Sequence, residues 1–140
     1  MNAIHTLNAT EQHALEDALD DEYKSHATYR QVIKDFGAVR PFINIVEAEG
    51  RHIAALLSIF DTYGVTAPAN RWLETAPRYA SLHEACLDSI RGERENATLF
   101  DRLLKSTVRP EIISVYKALQ SASLDRHLPA FQRCAQRATG

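Results

Sequence analysis

Apolar residues recur at intervals of three and four over most of this sequence, which is the spacing of one face of an α-helix. Glycine and proline residues interrupt the pattern and divide it into periodic segments at about 10–36, 41–63, 81–105 and 110–136. No segment alternates apolar and polar residues in the manner of a half-buried β-strand. The pattern therefore predicts an all-α fold with four helices, in a single domain that spans residues 1–140.

Residues with strong preferences for helix ends lie at the boundaries of these segments. Thr10 is a good N-cap for the first helix, and Pro41 and Pro110 suit the first turns of the second and fourth helices. Gly37 and Gly64 follow the first two segments, where glycine commonly ends a helix. These residues support the boundaries that the apolar pattern predicts.

The lengths of the connections predict how the helices are arranged. Helices 1 and 2, and helices 3 and 4, are joined by short segments, so each pair is expected to be antiparallel. The connection between helices 2 and 3, from 65 to about 80, has about 16 residues. At about 3.3 Å per residue it can run the whole length of a helix and place helix 3 parallel to helix 2. Two antiparallel pairs joined by such a crossover form a ferritin-like four-helix bundle.

Each apolar stripe is interrupted by residues of the types that bind metals, and these residues keep the helical spacing. An unpaired carboxylate in a bundle core is costly, so it needs a partner there. Carboxylate oxygens together with neutral imidazoles suit iron, manganese or zinc. The sequence therefore predicts a metal site in the core, with the candidate ligands Glu22 on helix 1, Glu49 and His52 on helix 2, Glu93 on helix 3 and His127 on helix 4.

Glu49 and His52 form a Glu-x-x-His step inside the second helix. Residues three apart are neighbours on a helix surface, so the carboxylate and the imidazole project side by side. Di-iron helical bundles use this step to bind metal. The step occurs on many surface helices as well, and the matching residues on the other three helices are what give it weight.

The segments that carry these residues resemble the ferritin-like superfamily of metal-binding four-helix bundles. They read Asp-Glu-Tyr-Lys-Ser-His-Ala-Thr-Tyr around Glu22, Asn-Ile-Val-Glu-Ala-Glu-Gly-Arg-His ending at His52, Arg-Gly-Glu-Arg-Glu-Asn around Glu93, and His-Leu-Pro-Ala-Phe from His127. The similarity runs from Thr10 to about Cys134 and is greatest to a small bacterial branch that is distantly related to rubrerythrin. It implies a glutamate from each of helices 1 and 3 and a Glu-x-x-His pair from each of helices 2 and 4. It also implies iron, with ferroxidase activity or an oxidoreductase reaction that uses peroxide or dioxygen.

The fourth helix departs from this pattern, because Leu124 stands three residues before His127, where the resemblance implies an acid. His26, one turn from Glu22 on the same stripe, is a replacement ligand that the sequence offers. The remaining ligands are sufficient for two metal ions with solvent completing their coordination, or for one ion bound mainly by Glu49 and His52. A symmetric di-iron centre is therefore not what this sequence predicts.

Two functional hypotheses follow from these residues. The first is a metal-binding protein with iron, or with manganese or zinc, in the bundle core. The chain has no rubredoxin-like module with four cysteine ligands, so redox turnover would need an external electron donor. The second is a metal-free structural or partner-binding bundle with a degenerate site, which Leu124 favours because it removes one carboxylate.

Composition and charge exclude several other classes of protein. A formal net charge of -2 without a basic cluster gives no indication of nucleic-acid binding. The apolar runs are too short to span a membrane, and Met1 to Glu11 lack the pattern of a signal peptide. Cys86 and Cys134 form no CxxC motif, so we expect free thiols and a cytoplasmic location. A homodimer is compatible with all of these features.

Overall fold

The computed structural model describes residues 6–138, and within this range the chain is helical and contains no strand. Three helices span Ala9–Phe36 (α1), Phe42–Thr62 (α2) and Leu82–Leu103 (α3). The fourth helical rod consists of Pro110–Ala122 (α4), a π-helical segment Ser123–His127 and Leu128–Arg137 (α5). The predicted all-α bundle with four helical segments is thus confirmed. Among the described helices, we find none with both the length and the apolar composition that crossing a bilayer requires.

The first helix begins slightly earlier than its sequence predicts. Asn8 is the N-cap, because its side chain accepts a hydrogen bond from the Glu11 backbone N–H over 2.8 Å. The Glu11 carboxylate accepts one in return from the Asn8 backbone N–H over 3.1 Å, which completes a capping box. Thr10 therefore lies inside the first turn. Gly37 and Gly64 do follow the first two helices, each with a positive φ that glycine adopts without strain.

The connection between α2 and α3 follows α1 lengthwise. Arg71 and Trp72 both donate hydrogen bonds to the carboxylate of Asp20, near the middle of α1. Farther along the connection, Arg78 forms a 2.7 Å ion pair with Asp35 in the last turn of α1. The segment therefore carries the chain from the end of α2 back to the C-terminal end of α1, where α3 begins.

Contacts between α1 and α3 give the relative direction of these helices. The Tyr29 hydroxyl contacts Glu93, whereas Asp17, earlier in α1, contacts Arg102, later in α3. The two helices are therefore antiparallel. Because the short 37–41 connection also makes α2 antiparallel to α1, α2 and α3 run in the same direction.

The interior of the bundle consists of two apolar clusters with a polar layer between them. One cluster includes Leu19, Leu56 and Phe100, and the other includes Tyr29 and Phe131. On every helical rod one buried ionisable residue lies between a residue of the first cluster and a residue of the second. The polar layer is thus screened from water by apolar side chains above and below it. Its ionisable members are Glu22, Glu49, Glu93 and His127, which are buried, and His52, which is partly buried.

Cys86 and Cys134 are joined in a disulfide that links α3 to α5, with Cα atoms 5.8 Å apart. The expectation of free thiols was therefore wrong. Their separation of 48 residues along the chain gives no local signal of pairing, which arises only when α3 and α5 pack together. The cytoplasmic location depended partly on free thiols, and it stays a prediction.

Candidate metal centre

All of the predicted ligands except His26 converge in the polar layer. Glu22, Glu49 and Glu93 are each 1% exposed, and His127 is 3% exposed. The His52 side chain is 12% exposed and is the most accessible of the five. Each residue comes from the middle of its helix, so rigid backbone rather than a loop positions it. The layer is therefore a preformed cluster of three carboxyl groups and two imidazoles.

Glu22, Glu49 and His52 form the first group in this cluster. The Nδ1 atom of His52 lies 3.6 Å from Glu22 Oε2 and 3.5 Å from Glu49 Oε2. One ligand atom from each of the three residues lies within 4.8 Å of the others. A single cation placed among these atoms would have two carboxylates and one imidazole as ligands, which suits a divalent transition metal.

Glu49, Glu93 and His127 form the second group. The Nδ1 atom of His127 lies 3.3 Å from Glu49 Oε1 and 3.0 Å from Glu93 Oε1. The three ligand atoms again lie within 4.8 Å of one another. This group offers the same set of ligands as the first one, namely two carboxylates and one imidazole.

Glu49 belongs to both groups. Its Oε2 atom faces His52 and its Oε1 atom faces His127, so the two oxygens of one carboxylate point to different imidazoles. The two imidazole rings are stacked with centroids 5.6 Å apart. Cations placed in the two groups would therefore share the Glu49 carboxylate.

Several buried polar atoms of the first group lack a hydrogen-bond partner. They are Glu22 Oε1, Glu49 Oε2 and His52 Nδ1. Leaving a buried polar group unbonded costs about 1–3 kcal/mol, and more when the group is charged. Glu49 Oε2 and His52 Nδ1 lie 3.5 Å apart, and the Glu22 carboxylate lies 3.6 Å from the same nitrogen through Oε2, so one cation among the three residues would relieve this lack of partners. The residues present therefore fit a bound metal ion.

The carboxyl groups influence one another's proton affinity. Burial and the adjacent Glu49 raise the pKa of Glu22 well above the ordinary value of a glutamate. Burial also acts to raise the pKa of Glu49, but interactions with Glu22, His127 and His52 outweigh it and lower that pKa. Burial is the main cause of the raised pKa of Glu93. Without a metal, Glu22 is therefore the carboxyl that retains a proton most readily, and Glu49 is the one that ionises most readily.

His127 is held in its protonated form by the same carboxylates. Burial alone would lower its pKa, but hydrogen bonds to Glu49 and Glu93 raise the pKa of His127 to about 9. A proton on Nδ1 occupies the atom that faces Glu49 and Glu93. A metal at the second position would have to replace this proton.

The π-helical segment changes the meaning of Leu124. Five residues, Ser123–His127, are wound more widely than an α-helix, and the Leu128 N–H bonds the Ser123 carbonyl. As a result the residue three positions before His127 is rotated away from the core, and Leu124 is 44% exposed. An acid at this position would not reach the centre, so Leu124 does not indicate a lost ligand. π-Helical turns are rare and frequently occur at functional sites.

A second layer of hydrogen bonds supports the ligands. The Tyr29 hydroxyl donates to Glu93 Oε1 over 3.3 Å. The Ser123 hydroxyl donates to Asn96 Oδ1 over 2.6 Å, and the Asn96 amide donates to Asp21 over 2.5 Å. Such partners orient metal ligands in many metalloproteins. The sequence indicated Tyr29 mainly as a core aromatic, and it gave no signal for Asn96 or Asp21 beyond their positions next to the ligands.

His26 does not join either group of ligands. It is half-buried beside α2, and its Nε2 atom lies 4.0 Å from where a Cβ on Gly50 would stand. Burial and the nearby Arg30 lower the pKa of His26, which favours a neutral imidazole. His26 thus lies next to the centre without contributing a ligand atom to either group, and the residue that serves both groups is Glu49.

Comparison with known proteins gives one informative similarity. No protein-family model matches the chain, and no curated protein matches it significantly. The crystal structure of the hypothetical protein MJ0754 from Methanococcus jannaschii DSM 2661 is similar to this structure, with a TM-score of 0.83 and 18% sequence identity. The similarity covers 94% of this chain and 82% of that chain. At this level of identity it establishes a shared fold and carries no information about the chemistry of the site.

Proposed function

We propose that this protein is a ferritin-like metal-binding protein with a dinuclear carboxylate and histidine centre in its bundle core. The lengthwise connection between two antiparallel pairs supports the ferritin-like arrangement. The observation that carries the proposal is the position of Glu49, whose two oxygens face His52 and His127 in two separate three-ligand groups. No other residue of the cluster belongs to both groups.

Iron is the metal that we propose, and the ligand set also accommodates manganese or zinc. When bound, two ferrous ions would supply the two electrons that, with two protons, reduce one hydrogen peroxide molecule to two water molecules. The Tyr29 hydroxyl orients Glu93, and the two apolar clusters keep bulk water out. Regeneration of the reduced state would need an external electron donor.

Metal content tests this proposal directly. Protein purified without a His tag and loaded anaerobically with ferrous iron is expected to retain about two equivalents after dialysis, as in carboxylate-bridged bundles. Inductively coupled plasma mass spectrometry gives the number, and a Glu49→Ala/His52→Ala double variant provides the comparison. One equivalent in the wild type would reduce the proposal to a mononuclear site. Absence of metal from both proteins would overturn it and leave a structural or partner-binding bundle.

Metal affinity is expected to rise with pH between about 6 and 8. His127, with a pKa of about 9, holds a proton throughout this range in the metal-free protein, and Glu22 retains one more readily than an ordinary glutamate. Both protons compete with the metal, so raising the pH removes the competitor and binding should release about one proton or more per site. Isothermal titration calorimetry with zinc in buffers of different ionisation enthalpy measures this release. An affinity that does not change with pH would contradict the assignment of His127 as a ligand.

The metal-free alternative loses the observation that favoured it. The alternative depended on the interpretation that Leu124 replaces an acidic ligand. Leu124 is exposed and points away from the core, so this interpretation does not hold. A bundle that needs no metal would also leave Glu22 Oε1, Glu49 Oε2 and His52 Nδ1 buried without partners. Replacement of such polar groups by apolar ones would be expected in a purely structural core.

A further inference from the structure

A small cavity lies beside the centre, between α1 and α3. Its volume is about 60 Å³, and its lining includes Tyr29, Ser89 and Gly92. A cavity of this size accepts a molecule of a few non-hydrogen atoms, whereas sites for drug-sized ligands measure roughly 300–1,000 Å³. We refer to it as the α1–α3 cavity.

The inner wall of the α1–α3 cavity contacts the metal centre through one side chain. Tyr29 lines the cavity, and its hydroxyl donates a hydrogen bond to Glu93 Oε1 over 3.3 Å. Glu93 in turn belongs to the group formed with Glu49 and His127. The Tyr29 side chain thus connects the cavity with the second metal position, and its hydroxyl still has an acceptor lone pair to offer.

Ser89 lines the same cavity and has an unsatisfied hydroxyl. The residue is 4% exposed, and its Oγ atom has no hydrogen-bond partner. It precedes Glu93 by about one turn of α3, so both side chains lie on the same side of the helix. A buried hydroxyl without a partner is unfavourable, and a bound molecule that can form hydrogen bonds would satisfy it.

The charges around the cavity nearly cancel. Arg91 forms 2.6 Å ion pairs with both Asp88 and Glu95. The other charged residues of the lining, Lys24 and Asp21, have opposite signs. The lining therefore offers no excess of positive charge to hold an anion, and an uncharged polar molecule suits it better than an anion does.

We propose that the α1–α3 cavity binds a small uncharged molecule that both donates and accepts hydrogen bonds, through Ser89 and Tyr29. Hydrogen peroxide is the member of this class that a reduced metal centre would consume, so its use as a substrate rests on the proposed function, whereas its binding does not. Gly92 lies in the lining, and a Cβ at this position would meet no atom within 4 Å, so there is room for a larger side chain. We expect a leucine at this position to occupy the cavity.

The test uses the full-length metal-free protein and hydrogen peroxide as the probe. Amide chemical shifts are recorded by two-dimensional NMR as peroxide is added to the wild type, Gly92→Leu, Gly92→Ala and Ser89→Ala. Both replacements of Gly92 favour helix formation, so these variants are expected to fold. We expect saturable shifts around Ser89 and Gly92 in the wild type and in Gly92→Ala, and none in Gly92→Leu. Loss of one neutral hydrogen bond in Ser89→Ala should weaken binding about fivefold.

Two results would overturn the inference. One is the absence of saturable shifts in the wild type, and the other is an unchanged response in Gly92→Leu. Azide added in place of peroxide serves as the anionic control, and equal binding of azide would contradict the preference for an uncharged ligand. A parallel stopped-flow measurement on ferrous-loaded protein should show slower oxidation by peroxide in Gly92→Leu with unchanged iron content. Because the NMR titration needs no metal, it remains decisive even if the metal measurement fails.

Discussion

Glu49→Ala is expected to abolish metal binding at both positions, whereas Glu22→Ala and Glu93→Ala should each abolish binding at one. The reason is that Glu49 faces both imidazoles through different oxygens, while Glu22 and Glu93 each belong to a single group. The metal content of ferrous-loaded protein should therefore fall from about two equivalents to none in the first variant and to about one in each of the others. Mass spectrometry of dialysed samples measures the three values side by side.

Glu47→Ala is the matched control for this series. Glu47 lies on the same helix two residues away, but its side chain is exposed and belongs to neither group. The Glu47→Ala variant should therefore retain the metal content of the wild type. Because bound metal stabilises the folded state by mass action, the thermal midpoint of Glu47→Ala should rise on loading and that of Glu49→Ala should not. One equivalent remaining in Glu49→Ala would show that Glu49 does not serve both positions.

Loss of the disulfide is expected to lower the free energy of unfolding by about 4 kcal/mol, from the chain entropy of a loop of this length. The bond closes a loop between Cys86 and Cys134, which are 48 residues apart, and both residues are buried. A Cys86→Ala/Cys134→Ala double variant and the oxidised wild type are compared by guanidinium denaturation. The difference in midpoint, multiplied by the common slope, gives the loss of stability.

Reduced wild-type protein is the control for this measurement, because it loses the bond and keeps both side chains. It should match the double variant closely. The disulfide also joins the two segments that carry Glu93 and His127, each about two helical turns from its cysteine. We therefore expect reduction to weaken metal binding at the second position more than at the first. An unchanged denaturation curve on reduction would contradict the disulfide in solution.

The sequence predicted the inward-facing residues well, for a local reason. Helical periodicity is a property of neighbouring residues, so Glu22, Glu49 and Glu93 could be placed on core-facing stripes without knowledge of the other helices. His127 followed in the same way. The boundaries at Gly37 and Gly64 were also local, since each has the positive φ that glycine tolerates.

Periodicity failed where the helix itself is not regular. The prediction that Leu124 occupies a ligand position assumed an α-helix from 110 to 136, but the turn at Ser123–His127 is π-helical. A single wide turn rotates the preceding residues relative to the following ones, and no residue of this segment signals it on its own. Sequence reasoning therefore interpreted an exposed leucine as a missing acid.

What the sequence determined by itself is the set of helices and the stripe of each that faces inward. Only the tertiary structure decided which of these residues contact one another. It placed Glu49 in both ligand groups, paired Cys86 with Cys134 and formed the cavity beside Tyr29. The physical reason is that a stripe fixes the direction of a side chain about its own helix axis. The height at which two stripes align, and hence any distance between them, depends on how the side chains of the different helices pack against one another.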